Sequence, residues 1–239
     1  LYTIIFLIGL IFGSFLNMLI HRIPSGVSLF KPLGSTCIHC KHSIKWHENI
    51  PVFSYLFLKG KCSNCSKSIS IVYPLVELTT ALVTLLLYMN YSPNWELIVT
   101  IALFYTLIVL SFIDLKYKAV PDYLLIIAVI LTVIVGDLID ILIFAGGFVL
   151  LELVITFYIQ NIKAKITKNK DLETQSALGE GDIPIAGVIG GLLGLHLGIS
   201  AIFLAAMLGL LMSIYNLLSK KEIETPFIPF LSLGLFITF

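Results

Sequence analysis

The sequence predicts an all-α polytopic membrane protein with about eight transmembrane helices and a small four-cysteine lobe. Of the 239 residues, 58% are hydrophobic and 12% are charged, whereas soluble domains carry roughly 25% charged residues. Mean hydropathy is +1.02. Apolar segments recur near the length of about 20 residues that crosses a bilayer, and one long polar stretch holds all four cysteines. This composition excludes a soluble globular protein.

Eight apolar segments are candidate helices. They cover residues 1–20, 74–91, 96–113, 122–136, 138–161, 182–196, 197–218 and 226–239. Segments 122–136, 182–196 and 226–239 are short for a span, and the prolines of the last indicate a kinked or partial helix. The first segment has no basic region before it, so we expect a retained span and not a cleaved signal peptide.

The basic residues indicate how these helices are oriented. All 15 Lys and Arg residues lie in alternate connecting segments, namely 21–73, 114–121, 162–181 and 219–225. If all eight helices span, the basic segments share one face, which the positive-inside rule makes cytoplasmic. Both chain termini are then expected on the outer face.

The long polar segment contains two CxxC pairs, Cys37-Ile-His-Cys40 and Cys62-Ser-Asn-Cys65. Each pair places two thiolates on one side of a tight loop, and two such loops are typical of a four-thiolate structural zinc site. A lobe of about 50 residues has too small a hydrophobic core to be stable alone, so a structural metal ion is expected.

Two alternatives to this zinc site stay open at this point. The cysteines could form two disulfides, although the reducing cytoplasm disfavours them. A nearby histidine could also replace a cysteine as ligand, although we expect surface positions for all three candidates, His39, His42 and His47.

Two aspartates mark the ends of apolar segments at the predicted cytoplasmic face. Asp114 ends one segment and Asp182 begins another. Two carboxylates that converge in a partly dehydrated site share a proton. One can then activate water while the other donates a proton to a scissile carbonyl group. This pairing favours a protease that cuts at the membrane interface.

The residues around Asp182 support that interpretation. Gly179 and Gly181 precede it and leave room for the backbone of an extended substrate. Further glycines follow at a spacing that favours close helix contact in a membrane, and they are Gly187, Gly190, Gly191 and Gly194.

Simpler roles are possible for each acidic residue. Asp182 could be a helix N-cap, and Asp114 could be a solvated boundary residue paired with Lys116 or Lys118. Asp122 follows a proline and is expected to be an N-cap. Two more acidic residues lie inside predicted spans, where bare burial is costly, and their roles are not predicted: Glu77 and Glu152.

Together these motifs resemble the bacterial type IV prepilin peptidases, a family of GxGD membrane aspartic proteases. The matching runs cover nearly the whole chain in order: 13–17, 22–24, the two CxxC pairs, 49–51, 54–55, 60–62, 73–78, 112–115, 120–122, 179–182 and 226–230. Many members have lysine two residues after the GxGD aspartate. Pro184 stands there in this chain, so local substrate contacts are expected to differ.

The resemblance implies an activity and roles for particular residues. Family members cut the basic leader from prepilins and pseudopilins after a glycine, and they methylate the new N-terminus with S-adenosylmethionine. By resemblance, Asp114 and Asp182 are the catalytic pair. The same resemblance places the methylation-associated segment at Gly60 and Lys61. Asp122, Gly179 and Gly181 are expected to shape the substrate site.

The implied organisation is a first span at 1–20, a cytoplasmic zinc lobe associated with methylation at 21–73 and a transmembrane protease domain at 74–239. We expect the lobe and the active site on the cytoplasmic side of a bacterial inner membrane. The expected partners are prepilin and pseudopilin substrates and the lipid bilayer, with no nucleic acid.

Two other classes of protein fit the composition. A proton-coupled transporter with a zinc-ribbon regulatory lobe would explain the acidic residues, but transporters place such groups near the middle of the membrane. A non-enzymatic assembly platform could use the lobe to bind partners, but the order of the motifs disfavours it.

Overall fold

The computed structural model describes residues 1–28, 36–37, 39–167, 178–219 and 225–239. Their regular structure is helical apart from two isolated bridges, Thr36 to Ser43 and Lys61 to Ser68. The all-α fold class is therefore confirmed. Several lysines behind the orientation prediction lie outside the described residues, namely Lys31, Lys168, Lys170, Lys220 and Lys221.

The described helices are α1 (Tyr2–Arg22), α2 (Phe53–Phe57), α3 (Val72–Asn90), α4 (Trp95–Tyr117), α5 (Asp122–Val135), α6 (Leu138–Phe157), α7 (Ala164–Thr167), α8 (Asp182–Leu218) and α9 (Ile228–Thr238). A 3₁₀ turn at Trp46–Asn49 precedes α2. A π-helical stretch at Tyr158–Lys163 joins α6 to α7.

Five helices of the described chain are long and apolar enough to cross a membrane. They cover Tyr2–Arg22, Val72–Asn90, Trp95–Tyr117, Leu138–Ile166 and Asp182–Leu218. Helices α5 and α9 are apolar but shorter. The predicted count of eight spans is therefore not confirmed.

Helix α8 accounts for part of this difference. It contains 37 residues, which at 1.5 Å per residue reach about 55 Å, well beyond a hydrocarbon core of about 30 Å. The helix is interrupted at Gly194, where φ is 69° and ψ is −177°, a conformation that glycine adopts readily and other residues avoid. The predicted segments 182–196 and 197–218 correspond to the two arms of α8, with the break just before the predicted turn.

The chain divides into two compact units, Leu1–Ile113 and Asp114–Phe239. The division predicted from the sequence, with boundaries after residues 20 and 73, stays a prediction. In the first unit, α1 packs closely against α3. A Cβ atom built on Gly13 would lie 2.6 Å from the Cα atom of Glu77, and one on Gly9 would lie 2.6 Å from the Cα atom of Ala81. This small-xxx-small spacing brings the two helix backbones together.

In the second unit, α8 packs against α5, α6 and α9. A Cβ atom on Gly190 would overlap the ring of Phe144, and one on Gly191 would overlap Ile141, both on α6. The expected role in close helix contact is therefore confirmed for Gly187, Gly190 and Gly191, whereas Gly194 interrupts α8. This packing fixes the first arm of α8, and with it the position of Asp182.

Candidate active site and four-cysteine cluster

Asp182 is the first residue of α8, and only 6% of its surface is exposed. Its Oδ2 atom accepts the N–H of Gly179 at 3.1 Å, and its own N–H donates to the Gly179 carbonyl oxygen at 3.0 Å. A Cβ atom on Gly179 would lie 3.3 Å from the same Oδ2. The turn therefore orients the carboxylate, and the absence of a side chain at Gly179 leaves the space beside Oδ2 open. The N-cap alternative for Asp182 is wrong, because Gly181 holds that position.

Asp114 lies in the last turn of α4 and is 9% exposed. Its Oδ2 atom accepts the N–H of Ile228, the first residue of α9, at 3.3 Å. Its carbonyl oxygen accepts the N–H of Lys118 at 2.9 Å. Lys118 has a φ of 51°, which ends the helix just after the aspartate. This burial contradicts the alternative of a solvated boundary residue.

The structure brings the two carboxylates together at the start of α9. Asp114 interacts electrostatically with Asp182. A Cβ atom on Gly181 would lie 2.9 Å from Cδ1 of Ile228, whose N–H holds Asp114. Gly181, which precedes Asp182, therefore contacts Ile228, which binds Asp114. Two buried carboxylates in one site can share a proton, an arrangement that suits general acid and base catalysis.

A groove of about 290 Å³ runs beside the start of α8. Its lining combines apolar side chains of α5 with two acidic groups and a proline, and consists of Asp122, Leu125, Ile126, Val129, Ile130, Glu180 and Pro184. Asp122 is exposed and is the first residue of α5, with Pro121 in the N-cap position. The predicted N-cap role of Asp122 is therefore wrong, and its side chain belongs to the groove.

The four cysteines form one cluster in the first unit. The sulfur atoms of Cys37, Cys40, Cys62 and Cys65 all lie within 4.8 Å of one another. Cys37 Sγ is 3.9 Å from Cys65 Sγ, and Cys40 Sγ is 4.0 Å from Cys62 Sγ. Sulfurs at the corners of a tetrahedron around zinc lie about 3.8 Å apart, given a Zn–S distance of about 2.3 Å. The cluster can therefore hold a metal ion. The disulfide alternative is wrong, because all four cysteines are free.

The two CxxC loops have the same local structure. The N–H of Lys41 donates to the Cys37 carbonyl oxygen at 2.8 Å, and that of Ser66 donates to the Cys62 carbonyl oxygen at 2.9 Å. Lys41 and Ser66 each have a φ of 56° and follow the second cysteine of their pair. This left-handed residue turns the chain back over the sulfurs. Sequence reasoning missed it, because neither position carries the glycine that usually marks such a turn.

Hydrogen bonds to the sulfurs distribute negative charge unevenly over the cluster. The backbone of His42 and the side chain of Asn64 lower the pKa of Cys40 to about 6. Backbone N–H groups of Cys65 and Asn64 also lower the pKa of Cys62. Although a backbone hydrogen bond favours the thiolate of Cys65, burial and the neighbouring thiols raise its pKa to about 11. A bound cation would let all four sulfurs ionise together.

Gly60 and Lys61 immediately precede the second CxxC loop. Gly60 has a φ of 66°, and a Cβ atom there would lie 3.0 Å from the ring of Tyr55. The Gly60 N–H donates to the Tyr55 carbonyl oxygen at 2.8 Å, and the Gly60 carbonyl oxygen accepts the N–H of Ile69 at 2.7 Å. Gly60 is buried and Lys61 is exposed. Their role in methylation stays a prediction.

Similarity to known proteins covers almost the whole chain. Residues 7–91 match the bacterial peptidase A24 N-terminal domain, and residues 101–214 match the type IV leader peptidase family. No solved structure shows significant similarity to the chain.

Several relatives carry the name prepilin leader peptidase/N-methyltransferase. The protein from Aeromonas hydrophila is 31% identical over 96% of this chain and 86% of its own length. The protein from Aeromonas salmonicida is 30% identical over the same shares. The protein from Pseudomonas aeruginosa is 29% identical over 94% of this chain and 83% of its own length. The transporter alternative is not supported, and the chain belongs to the type IV leader peptidase family.

Proposed function

We propose that this protein is a membrane aspartic endopeptidase that also acts as an N-methyltransferase. It cleaves the basic leader from prepilins and pseudopilins after a glycine, and it methylates the new N-terminal residue. The observation that carries the proposal is the buried, interacting pair of Asp114 and Asp182 at two helix ends, in a chain whose relatives are named for both activities.

The hydrogen bonds of the two aspartates indicate which oxygen atom of each takes part in peptide hydrolysis. Both backbone N–H groups bind an Oδ2 atom, so we assign each Oδ1 atom to water and substrate. The ionised carboxylate takes a proton from water as the oxygen attacks the scissile carbonyl carbon. The protonated carboxylate gives its proton to the carbonyl oxygen. The C–N bond then breaks, and the departing amine takes up the proton that came from water.

The groove beside α8 suits a substrate with an apolar segment and a basic leader. Its α5 wall is apolar, and its acidic groups are Asp122 and Glu180. In the proposal, Gly179 and Gly181 keep the approach to Asp182 open for the substrate backbone. Pro184 lines the same groove, at the position where the family resemblance leads one to expect lysine. This substitution leaves the groove lining without a basic group.

Zinc is the metal that best fits the four-cysteine cluster. Four sulfurs at near-tetrahedral spacing match a closed structural site, in which all positions are filled by protein ligands. In the proposal, S-adenosylmethionine supplies the electrophilic methyl group. Gly60 and Lys61 belong to the segment that supports the transfer.

The apolar helices and the family make this an inner-membrane protein. We infer that the cysteine lobe and the aspartates face the cytoplasm, because the basic residues share one face if all eight predicted segments span. That orientation places cleavage at the interface, where a basic leader stays in water and an apolar segment stays in the bilayer.

The test is incubation of the purified protein, in liposomes, with a prepilin and S-adenosylmethionine, followed by mass measurement of the product. The expected product has lost the leader and gained one methyl group. Asp114→Asn and Asp182→Asn should each abolish cleavage with the fold intact, while Glu96→Gln, an exposed acidic residue in the first turn of α4, retains it. Cleavage by either catalytic variant near the wild-type rate contradicts the assignment.

A further inference from the structure

Glu77 is a buried carboxylate that the proposed chemistry does not use. It lies on α3 and is 8% exposed. Its Oε2 atom accepts the backbone N–H of Val52 at 2.7 Å, and the Ser14 side chain also hydrogen-bonds to the carboxylate. Burial of an ionisable side chain inside a membrane span costs free energy, so its presence indicates a role for the contacts that it makes. These partners come from α1 and from the cysteine lobe.

The residue that Glu77 holds has a strained backbone. Val52 has a φ of 62° and a ψ of −49°, and the N–H of Phe53 donates to the Pro51 carbonyl oxygen at 2.6 Å. This is a γ-turn of the rare, strained hand. A β-branched residue is an outlier at positive φ, and such strain persists only where surrounding contacts fix it. The bond from Val52 to Glu77 is such a contact.

Glu77 itself is held firmly between α1 and α3. The Cα atom of Glu77 lies 2.6 Å from a Cβ atom built on Gly13, so the two helix backbones are in close contact at this level. One turn towards the start of α3, the Asn17 side chain on α1 donates to the Tyr73 carbonyl oxygen at 2.9 Å. The carboxylate that accepts the Val52 N–H therefore lies on a tightly packed pair of helices.

The strained turn leads directly to the segment before the second CxxC loop. Helix α2 begins at Phe53, immediately after Val52. Tyr55 on α2 packs its ring against Gly60, and its backbone carbonyl oxygen accepts the Gly60 N–H at 2.8 Å. Displacement of α2 would therefore displace Gly60 and the adjoining Lys61.

The geometry points to Glu77 as a positioning residue that anchors the cysteine lobe to the α1–α3 pair through the Val52 amide. The anchor fixes the strained turn, which orients α2, and α2 in turn holds Gly60. The consequence for methylation rests on the proposed function. The anchoring itself does not depend on it.

Hydrogen exchange of residues 50–60 tests the anchor on the full-length protein in detergent. Glu77→Leu removes the acceptor and should speed exchange of the Val52 amide and of α2 by about tenfold or more. Glu77→Gln keeps a neutral acceptor and should give a smaller rise. Val52→Gly keeps the N–H and tolerates positive φ, so its exchange in this segment should stay slow.

Two results would overturn the anchor. One is unchanged exchange of residues 50–60 in folded Glu77→Leu protein. The other is a rise that is no larger in residues 50–60 than in α1 and α3, which would mean general loosening of the helix pair. If Glu77→Leu does not fold, Glu77→Ala, which also removes the acceptor, decides by the same two criteria.

A second readout links the anchor to the proposed function. In the prepilin assay, Glu77→Leu should lower the ratio of methylated to cleaved product, and Val52→Gly should leave the ratio unchanged. An unchanged ratio in Glu77→Leu, with faster exchange, would overturn the link to methylation and leave the anchor standing. Absence of both activities in the wild-type protein would instead contradict the proposed function.

Discussion

Gly181→Ala is the substitution that most sharply tests how the site is built. Gly181 has a φ of −76° and a ψ of −19°, so alanine suits its backbone and any effect comes from contacts. The new methyl group would lie 2.8 Å from Cγ2 of Val120 and 2.9 Å from Cδ1 of Ile228. Carbon atoms pack at about 3.5–4.0 Å. Both side chains must therefore retreat by about 1 Å.

Ile228 is 2% exposed, so its Cδ1 atom has little free space to rotate into, and we expect part of the displacement to reach its backbone, which binds the catalytic pair. Its N–H holds Asp114 Oδ2 at 3.3 Å, and this long bond has little room to stretch further. A displacement of about 1 Å in an active site costs about 100-fold in rate. Overpacking of this kind costs about 1–3 kcal/mol in stability. We therefore expect Gly181→Ala to fold, with a cleavage rate about 10- to 100-fold lower.

The assay compares initial rates of prepilin cleavage in liposomes with thermal unfolding in detergent. Gly146→Ala is the matched control, because a Cβ atom at this α6 position meets nothing within 4 Å. Alanine there should stabilise the helix by up to about 1 kcal/mol and leave the cleavage rate unchanged. A Gly181→Ala protein that cleaves at the wild-type rate would refute the proposed contact between Ile228 and the aspartate pair.

Three further predictions concern the first unit. Gly60→Ala should lower methylation more than cleavage in the mass assay, because its Cβ atom would meet the ring of Tyr55. Gly26→Ala is the control: Gly26 has a φ of 63° but open space around it, so alanine should cost only about 1–2 kcal/mol of backbone strain. Equal methylation in the two variants contradicts the prediction. Cys37→Ser should release zinc in metal analysis and expose the lobe to proteolysis, and retained zinc would argue against the cluster. Gly13→Ala should lower unfolding stability by about 1–3 kcal/mol, because its Cβ atom meets the α3 backbone; unchanged stability would show that the helices separate easily.

The sequence predicted those features that local pattern determines. Apolar length predicted the helical class, and the CxxC spacing predicted the cluster of four sulfurs. The ends of apolar segments placed Asp114 and Asp182 at helix ends, where the structure has them. These signals are reliable because each depends on residues close together in the chain.

The features that sequence reasoning missed depend on distant contacts or on unexpected backbone. The bond from Ile228 to Asp114 joins residues 114 positions apart, so no local pattern reveals it. Gly194 breaks α8, but the neighbouring Gly190 and Gly191 are helical, and glycine content alone does not distinguish them. Val52 is the least expected kind of residue at positive φ, and its conformation depends on a turn that a carboxylate 25 positions away holds in place.

Single-turnover cleavage by the two aspartate variants and their combination tests the central claim most directly. If Asp114 and Asp182 act as one unit, either substitution by asparagine removes nearly all activity, and the double variant is no slower than the singles. Substantial cleavage by either single variant, or losses that multiply in the double variant, would mean that the two carboxylates act separately and that the proposed pair is wrong.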